Sequence, residues 1–195
     1  MKALRNSGVL AIHCVTGDHP AALGLLRPAR FGAESLTLAV AASELSMGVT
    51  VGESPSSPGK RVHRLLAKQR AGATLCLLNH CGSPDDADRF VDECRAAGVT
   101  LAFVAPVPMV GSSEGAASLA AFPGLQLPDG LLAVRDARDP AAERLRWATR
   151  LSSALAATGR FVACNLSGRA PGADPFERAE STATFAEAIR HSWPA

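Results

Sequence analysis

Residues 65–98, LLAKQRAGATLCLLNHCGSPDDADRFVDECRAAG, read as the end of one helix, a strand and the whole of the next helix. Upstream, residues 59–71 space Val62, Leu65, Leu66 and Gln69 at helical intervals, with Lys60, Arg61, Arg64 and Lys68 around them. Gly72 supplies a helix stop. The run TLCLLN (74–79) has the length and apolar content of a buried strand. Ser83-Pro84-Asp85-Asp86 then provides an N-cap, a proline at the first helical position and acids in the first turn. The helix so opened buries Phe90, Val91 and Cys94, and Gly98 ends it. A buried strand between two helices is the repeat of a parallel α/β sheet.

The same alternation extends in both directions. VLAIHCVTGDH (9–19), ESLTLAVAA (34–42), MGVTVGES (47–54), TLCLLNHC (74–81) and FVACNLSG (161–168) are apolar, β-like and end in polar residues, while TLAFVAPVPMV (100–110) ends in prolines. Helical segments are expected at 20–27 behind Pro20 and in the Ala-rich stretch 112–121. Another is expected at 139–158, where Asp139 caps, Pro140 opens and Leu145, Ala148, Leu151 and Leu155 form the stripe; a last one covers 176–190. Loops fall at 123–130 and 168–175. No repeat or linker divides the chain, which reads as a single α/β domain over 1–195 with a loop and C-terminal helix at 168–195. In such sheets the chemistry sits at the carboxyl ends of the strands. Asp18, His19, Glu53, Asn79, His80 and Asn165 would therefore gather on one rim.

The 195 residues suffice for one real core, and 47% hydrophobic with 19% charged residues is a globular composition. The net charge of +2, without a basic block, argues against a nucleic-acid partner. No apolar run is long enough for a membrane span, and the start is too quickly polar for a cleavable leader. The five cysteines are an odd number and several lie in strand-like runs, which points to reduced thiols and a cytoplasmic location.

Each motif has a plain and a functional reading. Thr16-Gly17-Asp18-His19-Pro20 is either a turn and helix start or a carboxylate placed to hold a hydroxyl or tune a cofactor ring. On a strand Asn79 and Cys81 would point together and His80 away. The Asn79 amide could read a heteroaromatic edge by donating and accepting at once, or simply cap the following loop. Cys76, His80 and Cys81 lack a second ligand pair, so no metal centre is expected. Lys68 lies on a basic helix face; Glu53 and Ser54 either line the rim or begin a turn. P-loop, dinucleotide and nucleophile-elbow patterns are absent.

Taken together, VTGDHP (15–20), LLAKQRAGATLCLLN (65–79), FVDECRAAGV (90–99) with APVPMV (105–110), and FVACNLSG (161–168) resemble segments of the methylenetetrahydrofolate reductase family. That resemblance covers roughly residues 8–168 and implies part of a (βα)8 (TIM-barrel-like) fold of about five to six βα units, open or completed by oligomerisation. It implies hydride transfer from NAD(P)H to 5,10-methylenetetrahydrofolate, with FAD as the usual carrier, in one-carbon metabolism and methionine biosynthesis. By position, Asp18 matches the acid beside the flavin ring, Lys68 a flavin-contacting lysine, and Asn79 a pterin-reading glutamine. His19 and Asn165 would line the substrate site, and Asp18 or Glu53 would serve as the proton donor if buried enough to raise its pKa.

The chain departs from the family in having Asn79 in place of Gln and His80 and Cys81 in place of aromatics, and it has no Tyr to stack on a flavin. It begins where the fourth strand would begin, so about three βα units, including the family's acid, have no counterpart. A half-barrel leaves strand edges and an apolar inner face to be covered by a homodimer or a partner chain. The alternatives to a folate enzyme are a non-catalytic half-barrel partner subunit and a small-ligand-binding α/β domain.

Overall fold

Five of the six apolar runs are strands. The computed structural model, which describes residues 1–15, 31–56, 60–121, 125–132, 134 and 138–193, sets them side by side in chain order. They are β1 (Ala11–Cys14), β2 (Gly48–Glu53), β3 (Leu75–Leu78), β4 (Ala102–Val110) and β5 (Ala163–Arg169), and every pairing is parallel. Parallel neighbours need crossovers. These are α2 (Phe31–Ser43), α3 (Arg61–Arg70), α4 (Pro84–Ala96), and, between β4 and β5, α5 (Ser113–Ala120), α6 (Asp129–Leu132) and α7 (Pro140–Ala157). A short α1 (Lys2–Asn6) precedes β1, and α8 (Pro175–Arg190) follows β5. Side-chain hydroxyls or carboxylates of Ser83, Ser112, Asp139 and Asp174 cap α4, α5, α7 and α8.

Strand alternation assigns the faces. Val49, Val51 and Glu53 of β2 and Cys76 and Leu78 of β3 are buried, whereas Thr50, Gly52, Leu75 and Leu77 are only half-buried. The buried face joins Phe103, Ala105 and Val107 of β4 in one core with Ala39 and Ala42 of α2, Leu65 of α3, Phe90 and Val91 of α4, and Ala148 and Leu155 of α7. Burying each of the larger side chains contributes about 1.5–3 kcal/mol. The helices touch in succession, α2 on α3, α3 on α4, α4 on α7 and α7 on α8, so they form one layer on the convex face. The result is a curled half-barrel whose inner face is partly open. Among the described residues β1 and β5 each have one strand neighbour.

The run 34–42, expected as a strand, lies inside α2. Ser35, Ala39 and Ala42 are its buried positions, one helical face, while Leu38 and Val40 point outward. The segment is apolar on both sides, so its composition hides the helical period; its alanines let the helix approach β1 and β2 closely. The predicted helix at 20–27 lies outside the described residues.

The prolines expected to end the run 100–110 lie within β4. Ala102, of the same parity, donates its N–H to the Thr74 carbonyl on the β3 side. Pro106 and Pro108 therefore lack their N–H on that side, and the β3 pairing has already stopped at Val104. All five cysteines are free thiols, and no described helix is long and apolar enough to cross a membrane.

Gly72 ends α3 with φ +99°, and a Cβ there would strike the Ser43 side chain at the end of α2. Gly72→Ala should therefore lower stability by about 2 kcal/mol, measured as a fall in denaturation midpoint without change in slope.

Candidate functional site

The inner face is built rung by rung from residues of one strand parity. His13 of β1 stands opposite Thr50, Thr50 opposite Leu75, and Leu75 opposite Ala102; one inward position higher, Gly52, Leu77, Val104 and Ala163 form the next rung. Above Leu77 comes Asn79, which is exposed, and above Ala163 comes Asn165, paired with Pro106. Continued past its last pair, Leu77 with Val104, the β3–β4 register would set Asn79 beside Pro106, with the two amides on either side of β4 and their strands about 10 Å apart. Asn165 thus lies on the inner face of β5 and Asn79 just past the end of β3, above a floor of Leu75, Leu77 and Val104.

His80 lies past the end of β3 and is buried. Its Nε2 is 3.0 Å from the Ser167 hydroxyl on β5, so the ring bridges two strands across β4. Its Nδ1 is buried and has no hydrogen-bond partner among the described residues. Burial pushes the imidazole pKa down to about 4, against an opposing contribution from Ser167. Cys81 does not share a face with Asn79 as strand alternation suggested, because β3 stops at Leu78. It is buried, its thiol directed at the Ser83 carbonyl, and burial pushes its pKa up to about 12.

Glu53 and Lys68 come together, but on the opposite side of the sheet. Glu53 shares the parity of Val49 and Val51 and faces the helix layer. Its carboxylate accepts from Arg64 Nη2 at 2.7 Å and Lys68 Nζ at 3.0 Å, and Lys68 also donates to the Gly52 carbonyl at 2.6 Å. Burial alone would raise the Glu53 pKa, but the hydrogen bonds and charges of Arg64 and Lys68 outweigh it and hold the carboxyl below its usual value. A proton donor requires the reverse shift. The structure therefore gives Glu53 the part of an ion-paired anchor that ties α3 to the end of β2. Lys68, turned to the convex face and held there by two acceptors, does not fit a flavin contact on the inner face. Asp18 and His19 lie outside the described residues.

Two inner-face residues escaped the sequence reading of the site. His13 sits within the first run and Ser167 within the last; the alternation that places Thr50 and Asn165 inward would have placed these too. Among the described residues no three acidic, histidine or cysteine groups converge as a metal site.

No protein-family model matches the chain, and no curated protein matches it. Similar solved structures exist. One is an uncharacterized protein from Clostridium thermocellum that binds two copies of 5-methyl-5,6,7,8-tetrahydrofolic acid, with TM-score 0.57 and 11% identity over 86% of this chain and 60% of that one. Another is a candidate phosphonomutase from Burkholderia cenocepacia, with TM-score 0.50 and 17% identity over 85% of this chain and 62% of that one. The fold is that of part of a TIM barrel. The chain spans about three fifths of the length of these structures, 60% and 62%.

The charged and buried groups set an acid profile. Between pH 6.5 and about 4 the unfolded chain protonates His80 while the folded chain does not, so stability falls across that span as pH drops. Below the ordinary Glu value of 4.5, protons taken up by the unfolded chain at Glu53 remove a further part as pH falls through the lowered folded value. Glu53→Gln should cost about 2 kcal/mol at neutral pH and flatten only the lower leg of a stability-against-pH curve.

Proposed function

We propose that this protein binds a reduced folate on the inner face of the half-barrel and passes a hydride from NAD(P)H to 5,10-methylenetetrahydrofolate. The observation that carries the reading is the pair of amides, Asn165 on the inner face of β5 and Asn79 just past the end of β3, above an apolar floor. A planar ring on Leu75, Leu77 and Val104 would have donor and acceptor groups along its edge within reach of side chains that offer both. The segment likeness to the reductase family and the folate-binding neighbour of similar fold support the same ligand.

In this reading Asn79, Asn165 and His19 bind the pterin. Asp18 takes the acid's role, since the Glu53 carboxyl is held ionised by its cations. NAD(P)H is the second substrate, its hydride leaving to the one-carbon unit. With Lys68 turned away and no Tyr in the chain, no step is assigned to FAD. The protein would serve one-carbon metabolism and methionine biosynthesis in the cytoplasm.

The test is a calorimetric titration with 5-methyltetrahydrofolate, followed by methylenetetrahydrofolate and NADH with absorbance read at 340 nm. Binding that weakens about tenfold in Asn79→Ala and in Asn165→Ala is the expected result. A protein that binds no folate at millimolar ligand ends the reading, and one that binds without consuming NADH or NADPH limits it to a folate-binding protein.

A second reading, a non-catalytic partner subunit, is favoured by the open edge of β5. There a groove of ≈ 890 Å³ is lined by Val162, Cys164, Leu166, Ile189 and Trp193, and Val162 is 62% exposed. In either reading the half-barrel is covered by a second copy or a partner chain. Size-exclusion chromatography with light scattering should show a dimer; a strict monomer that binds folate removes the homodimer.

A further inference from the structure

His13 stands on the inner face and is held by a chain of contacts across two strands. Its Nδ1 lies 2.8 Å from Oγ1 of Thr50, the residue opposite it in the parallel register. The same Thr50 oxygen lies 3.3 Å from the Ile12 carbonyl oxygen. A threonine hydroxyl has one hydrogen to give and an oxygen that can accept. The carbonyl can only accept, so Thr50 must donate to it for that contact to be a hydrogen bond. The Thr50 oxygen is then left to accept, and Nδ1 of His13 must carry the proton. No other assignment makes both contacts hydrogen bonds. A neutral imidazole protonated at Nδ1 holds its lone pair on Nε2.

The surroundings favour the neutral ring and keep that atom accessible. Partial burial lowers the His13 pKa, and the Lys68 charge lowers it further. Nε2 lies 3.9 Å from the point where a Cβ on Gly52 would stand, so no Gly52 side chain packs on it, and His13 is exposed among the described residues. Gly52 pairs with Leu77, and Asn79 is the next inward position above Leu77. The nitrogen therefore borders the floor on which the proposed ring lies, one step below the amide.

We propose that His13 is the dedicated hydrogen-bond acceptor of the inner-face site, locked by Thr50 with its Nε2 lone pair turned to the ligand. Its partner is an N–H or amino donor on the edge of a planar heteroaromatic ring. This deepens the folate reading and rests on it, because a reduced pterin carries such donors. His13 touches the ligand; Thr50 is a positioning residue that acts through it. The arrangement favours rings with N–H edges over rings that present oxygen acceptors alone, for which the Nε2 lone pair would be repulsive.

Long-range proton–nitrogen NMR on the full ¹⁵N-labelled chain, at neutral pH without ligand, reads the tautomer directly. The expected result is a protonated Nδ1 and an unprotonated Nε2 at His13. Thr50→Val, which keeps the shape of the side chain and removes the hydroxyl, should erase the single tautomer, and Thr50→Ser should restore it. On adding 5-methyltetrahydrofolate the Nε2 resonance should shift, and affinity should fall about tenfold in His13→Phe and about threefold in Thr50→Val, with Thr50→Ser close to the parent. A protonated Nε2 in the parent overturns the inference. So does folate binding that leaves Nε2 unmoved and is indifferent to His13→Phe. A parent that binds no 5-methyltetrahydrofolate overturns the folate reading instead, and the ligand-free tautomer still decides whether His13 presents an acceptor.

Discussion

Parallel pairing of strands in their chain order is the constraint from which everything else in this molecule follows. Each strand can reach its neighbour only through a crossover, and the crossovers place their helices on one face. That face takes the large apolar side chains and becomes the core. The other face curls inward and is left with half-buried leucines, small residues and a few polar groups. Side-chain parity then decides function as firmly as it decides packing. Glu53 and Gly52 are adjacent in sequence, yet one is sealed under α3 by two cations and the other lies open beside His13.

The ion cluster at Glu53 shows how the surroundings of a carboxylate decide what it can do. A carboxylate at a strand end is in the right place for chemistry, but its environment decides its use. Two cations and a low pKa make it an anchor; the same cluster also engages Lys68, which a linear motif would assign to a cofactor. The inner-face histidine carries the opposite signature. Lightly covered, with its pKa lowered by burial and by Lys68 and its ring held by a hydroxyl on the next strand, it is the group the proposed site would turn to a ligand.

Much of the fold is legible in the sequence, because its signals are local. Ser83 with Pro84 and Asp139 with Pro140 announce their helices, and the runs at 9–19, 47–54, 74–81 and 161–168 overlap β1, β2, β3 and β5. The stretch 34–42 misleads because a helix with apolar residues on its outer side, Leu38 and Val40, shows no period to read. The site is legible only in part. Asn79 and Asn165 follow from their places at strand ends, whereas the His13–Thr50 contact and the His80–Ser167 bridge join residues far apart in the chain, brought together by register alone. Which face Glu53 takes likewise depends on where β2 begins its alternation.

Pro106 and Pro108 act on the assembly of the sheet as well as on its finished form. Sliding β4 by two residues against β3 would preserve which side chains point inward, so hydrophobic burial by itself discriminates poorly against that error. The slide that carries Pro106 into the pairing zone, however, sets a ring nitrogen without hydrogen where the ladder requires a donor, and a carbonyl of β3 is left orphaned. The two prolines work as a mechanical stop, admitting β4 to its partner in one direction only as far as Val104. Because each strand meets its neighbour across a long stretch of chain, a stop of this kind disfavours a near-native misregister of the rungs that carry the site.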